Sequence, residues 1–219
     1  MIIGVIGKSG SGKTSISSYF GNNGYKILEL DNISKDLYRG PNSGGYLAIR
    51  DTFGDGVVKR IGEEIDTSKL ASIVFNNKGK MNKLNKIMKP LIEYYVIKEI
   101  VEKHWIHNDD VILDGALLLD TKLIHYCDVI IYVGASRKTR VSRLINRGVK
   151  KDIVNKMADV VKINMKKLFN LSQPVIMINN NDDGGDIYSL VQKISKIKQI
   201  GVSMMDNKKK LDKYYKDMI

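Results

Sequence analysis

A glycine-rich stretch near the amino terminus combines residue types at the spacing that binds phosphate groups. It reads Gly7-Lys8-Ser9-Gly10-Ser11-Gly12-Lys13-Thr14 and joins an apolar run, Ile2 to Ile6, to a helical pattern that begins near Lys13. Glycines let backbone N–H groups surround phosphate oxygens, the lysine reaches the β- and γ-phosphates, and the hydroxyl binds Mg²⁺. The start of the following helix adds partial positive charge.

This pattern predicts a nucleotide-phosphate site, with an accidental glycine-rich turn as the alternative. The residues predicted to bind the nucleotide are Gly7, Ser9, Gly10, Ser11, Gly12, Lys13, Thr14 and Ser15. Thr14 is also a predicted Mg²⁺ ligand, because its hydroxyl occupies the metal-binding position of the pattern.

Two aspartates follow apolar runs that are predicted to be buried strands. The run 25–30 leads to Asp31, and the run 111–113 leads to Asp114. In open α/β sheets, ligands bind at the carboxyl ends of the strands. Asp31 is therefore a candidate catalytic base, with a helix cap as the alternative. Asp114 is a candidate partner for Mg²⁺ or its water shell, with an ordinary turn residue as the alternative.

Arginines are concentrated in one basic stretch, residues 136–172. Seven of the 36 basic residues are arginine, and four of those seven lie between positions 137 and 147. Arg140, Arg143 and Arg147 are spaced to share one helix face. Because a planar guanidinium suits bidentate phosphate contact, the stretch predicts a lid whose arginines close over ATP and stabilise charge on the transferring phosphoryl group. A merely solvated basic face is the alternative.

Strand and helix patterns alternate in the rest of the chain and indicate an α/β fold with a mostly parallel sheet. Further strands are predicted at 128–133 and 174–178, and helices at 69–75, 91–106 and 186–200. Asn179 follows the last strand and is a candidate contact for adenine, although turn chemistry explains an asparagine there equally well. The predicted division is a nucleotide-binding core of residues 1–31, 109–135 and 173–200, a helical acceptor lobe of 32–108, a lid of 136–172 and a basic tail of 201–219.

The composition and charge of the chain disfavour a membrane protein, a secreted protein and a nucleic-acid-binding protein. No apolar run approaches the ~20 residues of a membrane span, and the first residues do not resemble a signal peptide, so we expect a soluble cytoplasmic protein. The formal charge of +12 comes mostly from lysines scattered among asparagine and isoleucine. Scattered charge with little aromatic interleaving disfavours nucleic-acid binding. The single cysteine, Cys127, cannot form an internal disulfide.

Over about residues 1 to 200, the order of these features resembles dephospho-CoA kinase. The motifs that carry the resemblance are the phosphate loop, Ile27-Leu28-Glu29-Leu30-Asp31, Phe53-Gly54, Leu70 to Phe75, Lys89-Pro90-Leu91-Ile92, Leu113-Asp114-Gly115-Ala116-Leu117-Leu118, and Arg143 with Arg147. The resemblance implies a P-loop kinase-like fold with a helical insertion and a lid helix. It also implies ATP and dephospho-CoA as small-molecule substrates and Mg²⁺ as the metal.

The same resemblance implies roles for individual residues. Asp31 would activate the ribose 3′-hydroxyl of dephospho-CoA, Lys13 and the loop amides would hold ATP, Thr14 would bind Mg²⁺, and Arg143 and Arg147 would stabilise phosphates from the lid. The chain departs from the family pattern at Ile6, Lys8, Glu29, Thr67, Lys89 and Ala116. Two alternatives stay open: a P-loop kinase for another nucleoside or nucleotide, and a non-catalytic nucleotide-dependent binding module.

Overall fold

The structure is a computed structural model that describes residues 1–59, 64–75, 77–159 and 161–181. Contacts divide the chain into two units: Met1–Ile27 with the described residues from Ile100 onward, and Leu28–Glu99. The helix predicted at 186–200 and the basic tail at 201–219 lie outside the described residues. Within the described ranges, no helix has the length and apolar character needed to cross a membrane.

Five strands form one sheet in the order β2-β3-β1-β4-β5. The strands are β1 (Ile2–Gly7), β2 (Lys26–Glu29), β3 (Val111–Asp114), β4 (Val129–Gly134) and β5 (Val175–Asn179). The pairs β1·β3, β1·β4 and β4·β5 are parallel. The carboxyl ends of these four strands therefore lie at the same edge of the sheet, where the glycine-rich loop leaves β1. The predicted α/β class with a mostly parallel sheet is confirmed.

Helices flank the strands along the chain. They are α1 (Lys13–Asn22), α2 (Leu30–Leu37), α3 (Gly44–Phe53), α4 (Thr67–Phe75), α5 (Lys78–Ile100), α6 (Arg137–Asn146), α7 (Lys151–Asp159) and α8 (Met165–Phe169). Helix α1 packs on the sheet through Ile16 and Phe20, which lie four residues apart on one helix face. Alternate residues of β1, Ile3 and Val5, meet them in one buried cluster. This packing fixes the helix that follows the glycine-rich loop.

The boundary between β2 and α2 differs from the prediction. The strand predicted at 25–30 ends at Glu29, and Asp31 lies inside the first turn of α2. Glu29 occupies the cap position in an extended conformation, and the Asn32 side-chain amide donates a hydrogen bond of 2.6 Å to its carboxylate. The chain therefore turns into a helix before Asp31, so this residue neither ends the strand nor caps the helix. A carboxylate in the first turn is favoured by the helix dipole.

The helix predicted to begin at Leu91 begins at Lys78 and passes through Pro90. It ends at Ile100 and continues as a wider, π-helical turn over Val101–Ile106. Proline inside a helix costs about 3 kcal/mol. Apolar side chains before and after the proline offset that cost because they pack on the buried core of the second unit: Met81, Leu84, Ile87, Met88, Leu91 and Ile92.

The basic stretch predicted as a lid contains three helices, of which α6 and α7 pack together around Leu144, Val154 and Ala158. Arg140 of α6 is 4% exposed. Its guanidinium donates one hydrogen bond of 2.5 Å to the carbonyl of Ala158, in the last turn of α7, and another of 3.3 Å to the carbonyl of Ala135. The helix dipole also stabilises a cation at the carboxyl end of a helix. Arg140 therefore holds this helical pair together.

We expect Arg140→Met to lower the free energy of unfolding by about 2 kcal/mol, because two buried carbonyls lose charged donors. The matched control is Lys138→Met, which removes an exposed charge from the same helix. Urea unfolding of both variants measures the difference. Equal unfolding midpoints in the two variants would contradict a structural role for Arg140.

Candidate active site

The glycine-rich loop leaves β1 after Gly7 and enters α1 at Lys13. Gly10 and Gly12 have φ angles of 78° and 97°, in the left-handed region that favours glycine. The Ser11 N–H donates to the Lys8 carbonyl at 3.1 Å, which closes the turn. Among the described residues, no side chain caps the start of α1. A loop of this conformation at an uncapped helix start is a concave binding site for anions.

Three glycines of the loop lie where a side chain would collide with a neighbouring element. A Cβ atom at Gly7 would overlap the Val133 carbonyl oxygen of β4, and one at Gly10 would lie 2.6 Å from the Arg140 carbonyl oxygen in α6. A Cβ atom at Gly12 would overlap the side-chain amide of Asn180. Close approach by α6 and by the chain after β5 therefore fixes the path of the loop.

The polar side chains of the loop differ in exposure. Thr14 and Ser15 are exposed, whereas Ser9 and Lys13 are half-buried. Ser11 is 1% exposed, and its hydroxyl has no hydrogen-bond partner among the described residues. A buried hydroxyl without a partner costs free energy, which a ligand at the loop could recover.

Asp114 lies at the carboxyl end of β3, next to the first turns of α1. Its carboxylate is 7% exposed and accepts a hydrogen bond of 2.7 Å from the Ser17 hydroxyl. Ser17 is three residues after Thr14, so the two side chains are neighbours on the helix surface. The pair Thr14 and Asp114 therefore offers hydroxyl and carboxylate oxygens, the ligands that Mg²⁺ prefers. Three or more His, Cys, Asp or Glu side chains placed to hold a metal occur nowhere in the described ranges.

Arg143 projects from α6 to the loop. Its Nη1 atom donates to the Asn180 carbonyl at 2.9 Å and to the Ser11 carbonyl at 3.4 Å. The Asn180 side-chain amide also donates to the Ser11 carbonyl, at 2.9 Å. The structure therefore brings the predicted residue Arg143 to the phosphate loop, together with Asn180, the middle residue of the run Asn179-Asn180-Asn181.

Arg147 and Asn179 lie at the ends of their elements. Helix α6 ends at Asn146, and Arg147 follows it before Gly148, whose φ of 80° terminates the helix. Arg147 is thus the capping residue of α6, and its N–H still donates to the Arg143 carbonyl at 3.1 Å, as in the helix. Asn179 is the exposed last residue of β5, and its side-chain oxygen accepts a hydrogen bond of 2.7 Å from Asn181.

A second charged cluster lies near the loop. The Arg137 guanidinium contacts both carboxylate oxygens of Asp159, at 3.1 and 3.3 Å through Nε. This hydrogen bond lowers the pKa of Asp159, and the charges of Arg137, Arg140 and Lys8 lower it further, against the opposing effect of burial. Two of the four clustered arginines, Arg137 and Arg140, are therefore engaged within the helical pair.

Asp31, the predicted base, belongs to the second unit, where its side chain is exposed in the first turn of α2. The predicted residues that the structure brings together are those of the first unit: the loop from Gly7 to Ser15, Asp114 and Arg143. The arrangement can bind a phosphate chain at the loop, place cationic charge against it from α6, and offer two oxygen ligands beside it.

The sequence analysis did not select Ser17, and from the run Asn179-Asn180-Asn181 it selected Asn179 rather than Asn180 as the candidate contact. The signal for Ser17 is its spacing of three from Thr14 on α1. The signal for Asn180 is the alternation along β5, in which Ile176 and Asn180 are buried while Met177 and Asn179 are exposed. The sequence does not show which of these residues face inward, because residues 175–178 are all apolar.

Two solved structures share this fold. The structure of TT1252 from Thermus thermophilus has a TM-score of 0.70 at 20% identity, and the match covers 90% of this chain and 96% of that one. The dephospho-CoA kinase from Campylobacter jejuni has a TM-score of 0.53 at 19% identity, with the same coverage of both chains. The predicted P-loop kinase-like architecture is confirmed.

The sequence matches one protein family over most of its length. The family model for dephospho-CoA kinase matches residues 1–184. The dephospho-CoA kinase of Fusobacterium nucleatum is 32% identical over 196 residues, which cover 88% of this chain and 96% of that protein. The Arabidopsis thaliana dephospho-CoA kinase is 29% identical over 196 residues, which cover 88% of this chain and 82% of the relative. The chain therefore belongs to the dephospho-CoA kinase family.

Proposed function

We propose that this protein transfers the γ-phosphoryl group of ATP to the ribose 3′-hydroxyl of dephospho-CoA, giving CoA and ADP, the last step of coenzyme A biosynthesis. The observation that carries the proposal is the glycine-rich loop at an uncapped helix start, in a chain that belongs to this family. The loop supplies the anion site that phosphoryl transfer needs, and family membership points to the acceptor.

The loop and Lys13 hold the phosphates of ATP in this proposal. Phosphoryl transfer depends mainly on positioning and on electrostatic stabilisation of the transferring group. Backbone N–H groups of the loop donate hydrogen bonds to the β-phosphate, and the Lys13 ammonium reaches the β- and γ-phosphates. Ser9, Ser15 and the Ser11 hydroxyl border the same phosphates.

Thr14 and Asp114 would hold Mg²⁺. Their oxygen atoms fit the ion chemically, and a magnesium ion at a nucleotide is usually held by one or two protein side chains plus substrate phosphates. When bound, Mg²⁺ neutralises charge on the β- and γ-phosphates. Ser17 keeps the Asp114 carboxylate in place through its 2.7 Å hydrogen bond.

Asp31 is the proposed general base. Its carboxylate accepts the proton of the 3′-hydroxyl while that oxygen bonds to the γ-phosphorus and the bond to the ADP oxygen breaks. Arg143 and Arg147 stabilise the charge that spreads over the phosphoryl oxygens. In the proposed organisation, residues 32–108 bind the acceptor, residues 136–172 close over ATP and exclude water, and Asn179 contacts the adenine.

The direct test is ADP release from Mg-ATP with and without dephospho-CoA, with mass spectrometry of the product. We expect acceptor-dependent ADP and a product heavier by one phosphate. Lys13→Ala should lower the rate by about 10²-fold or more, because a charge that stabilises the transferring group is lost. Transfer to a different nucleoside or nucleotide, or ATP binding without acceptor-dependent ADP, would overturn the assignment.

We expect Asp31→Asn to lower turnover by about 10²-fold while the dissociation constant for ATP changes less than about twofold, because the amide cannot accept the proton. Asp36→Asn is the matched control, since Asp36 is exposed in the same helix and pairs with Arg39 at 3.0 Å. Turnover is measured at saturating substrates and ATP affinity by calorimetry. Unchanged turnover in Asp31→Asn would rule out the base assignment.

A further inference from the structure

Asn180 is a buried polar residue between β5 and the phosphate loop. Its side chain is 7% exposed, and its amide nitrogen Nδ2 donates to the Ser11 carbonyl at 2.9 Å. Its backbone N–H donates to the Gly134 carbonyl, at the end of β4, at 2.7 Å. The backbone of Asn180 is therefore anchored to the sheet while its side chain holds the loop.

The Ser11 carbonyl receives a second donor from the lid stretch. Arg143 Nη1 donates to this oxygen at 3.4 Å and to the Asn180 carbonyl at 2.9 Å. The end of β5, the phosphate loop and α6 thus meet around one peptide group. Because all three belong to the first unit, the contact is a property of that unit alone.

The orientation of this peptide group decides where the next amide points. In a trans peptide, the carbonyl of Ser11 and the N–H of Gly12 lie in one plane and point in opposite directions. Holding the carbonyl toward Asn180 therefore directs the Gly12 N–H to the opposite side of the loop. Amide N–H groups turned to that side are what a phosphate loop uses to bind an anion.

Gly12 and Asn180 also fit each other sterically. A Cβ atom at Gly12 would overlap Nδ2 of Asn180, and the φ of 97° at Gly12 is unfavourable for other residue types. The glycine therefore allows the asparagine amide to approach the backbone closely enough to bond the adjacent carbonyl.

We propose that Asn180 is a positioning residue for nucleotide binding: it orients the Ser11–Gly12 peptide so that the Gly12 amide faces the phosphates, and it couples the loop to Arg143. The inference rests on the proposed function only in taking the bound anion to be the phosphate chain of ATP. It requires no contact between Asn180 and the nucleotide.

The test compares Asn180→Ala and Asn180→Leu with wild type. Leucine keeps about the same volume and removes the donor, whereas alanine removes both. We expect both variants to bind Mg-ATP about tenfold more weakly by calorimetry, the effect of losing one well-placed buried hydrogen bond. The KM for ATP should rise similarly, while the KM for dephospho-CoA stays near the wild-type value and the thermal midpoint falls by only a few degrees, because one buried hydrogen bond is lost.

The matched control is Asn23→Ala. The Asn23 side-chain amide also donates to a backbone carbonyl, that of Tyr19 at 2.7 Å, but it is exposed at the far end of α1. We expect this variant to bind Mg-ATP as wild type does. If it weakens binding as much as Asn180→Ala does, the inference is overturned.

Two results would show that Asn180 has only a structural role. One is wild-type ATP affinity in Asn180→Leu, which would mean that volume alone matters. The other is a fall in thermal midpoint with unchanged ATP affinity in both variants. Calorimetry with Mg-ATP needs no acceptor, so it tests Asn180 even if dephospho-CoA proves not to be the substrate. Should the alanine variant not fold, the leucine variant decides the question.

Discussion

The close approach of neighbouring elements to the glycines of the phosphate loop is the constraint on which the site depends. At Gly10 and Gly12 the neighbours are the backbone of Arg140 and the side chain of Asn180, and neither position has room for a Cβ atom. Contacts on the protein side thus fix the path of the loop, in which the Ser11 N–H is bonded to the Lys8 carbonyl. A loop whose path is fixed by the protein loses less conformational freedom when a ligand binds, which lowers the entropic cost of binding.

The arginines of helix α6 make two kinds of contact: some bond within the pair of helices α6 and α7, and one contacts the phosphate loop. The two helices pack through an apolar cluster around Leu144, Val154 and Ala158, and Arg140 adds a buried hydrogen bond to the Ala158 carbonyl. The exposed pair of Arg137 and Asp159 adds little to this packing. Arg143, one turn further along, contacts the loop instead. The arginine cluster of the sequence therefore combines residues that bond within the pair of helices with one, Arg143, that contacts the loop and is proposed to meet phosphate.

The second unit has a separate apolar core, which explains how it tolerates a proline within its longest helix. The buried side chains around Tyr46 and Ile49 form a cluster of their own, and α5 contributes to it on both sides of Pro90. Asp31 lies near the start of this unit, within the first turn of α2, where the helix dipole favours a carboxylate. The residue proposed to act on the acceptor and the residues proposed to hold ATP are thus supplied by different units.

The fold class, the position of the phosphate loop and the family could be predicted from the sequence alone. Glycine spacing and apolar periodicity are local patterns, so they can be recognised without knowledge of tertiary contacts. The tertiary structure decided which residues meet the loop. Asn180 rather than Asn179 bonds the Ser11 carbonyl, and Arg140 is buried between helices. These differences depend on which residues of β5 face inward, in a strand whose first four residues are all apolar, and on the packing of one helix against another. Neither the orientation of that strand nor the packing of the helices can be predicted from a local sequence pattern, because both depend on residues far apart in the chain.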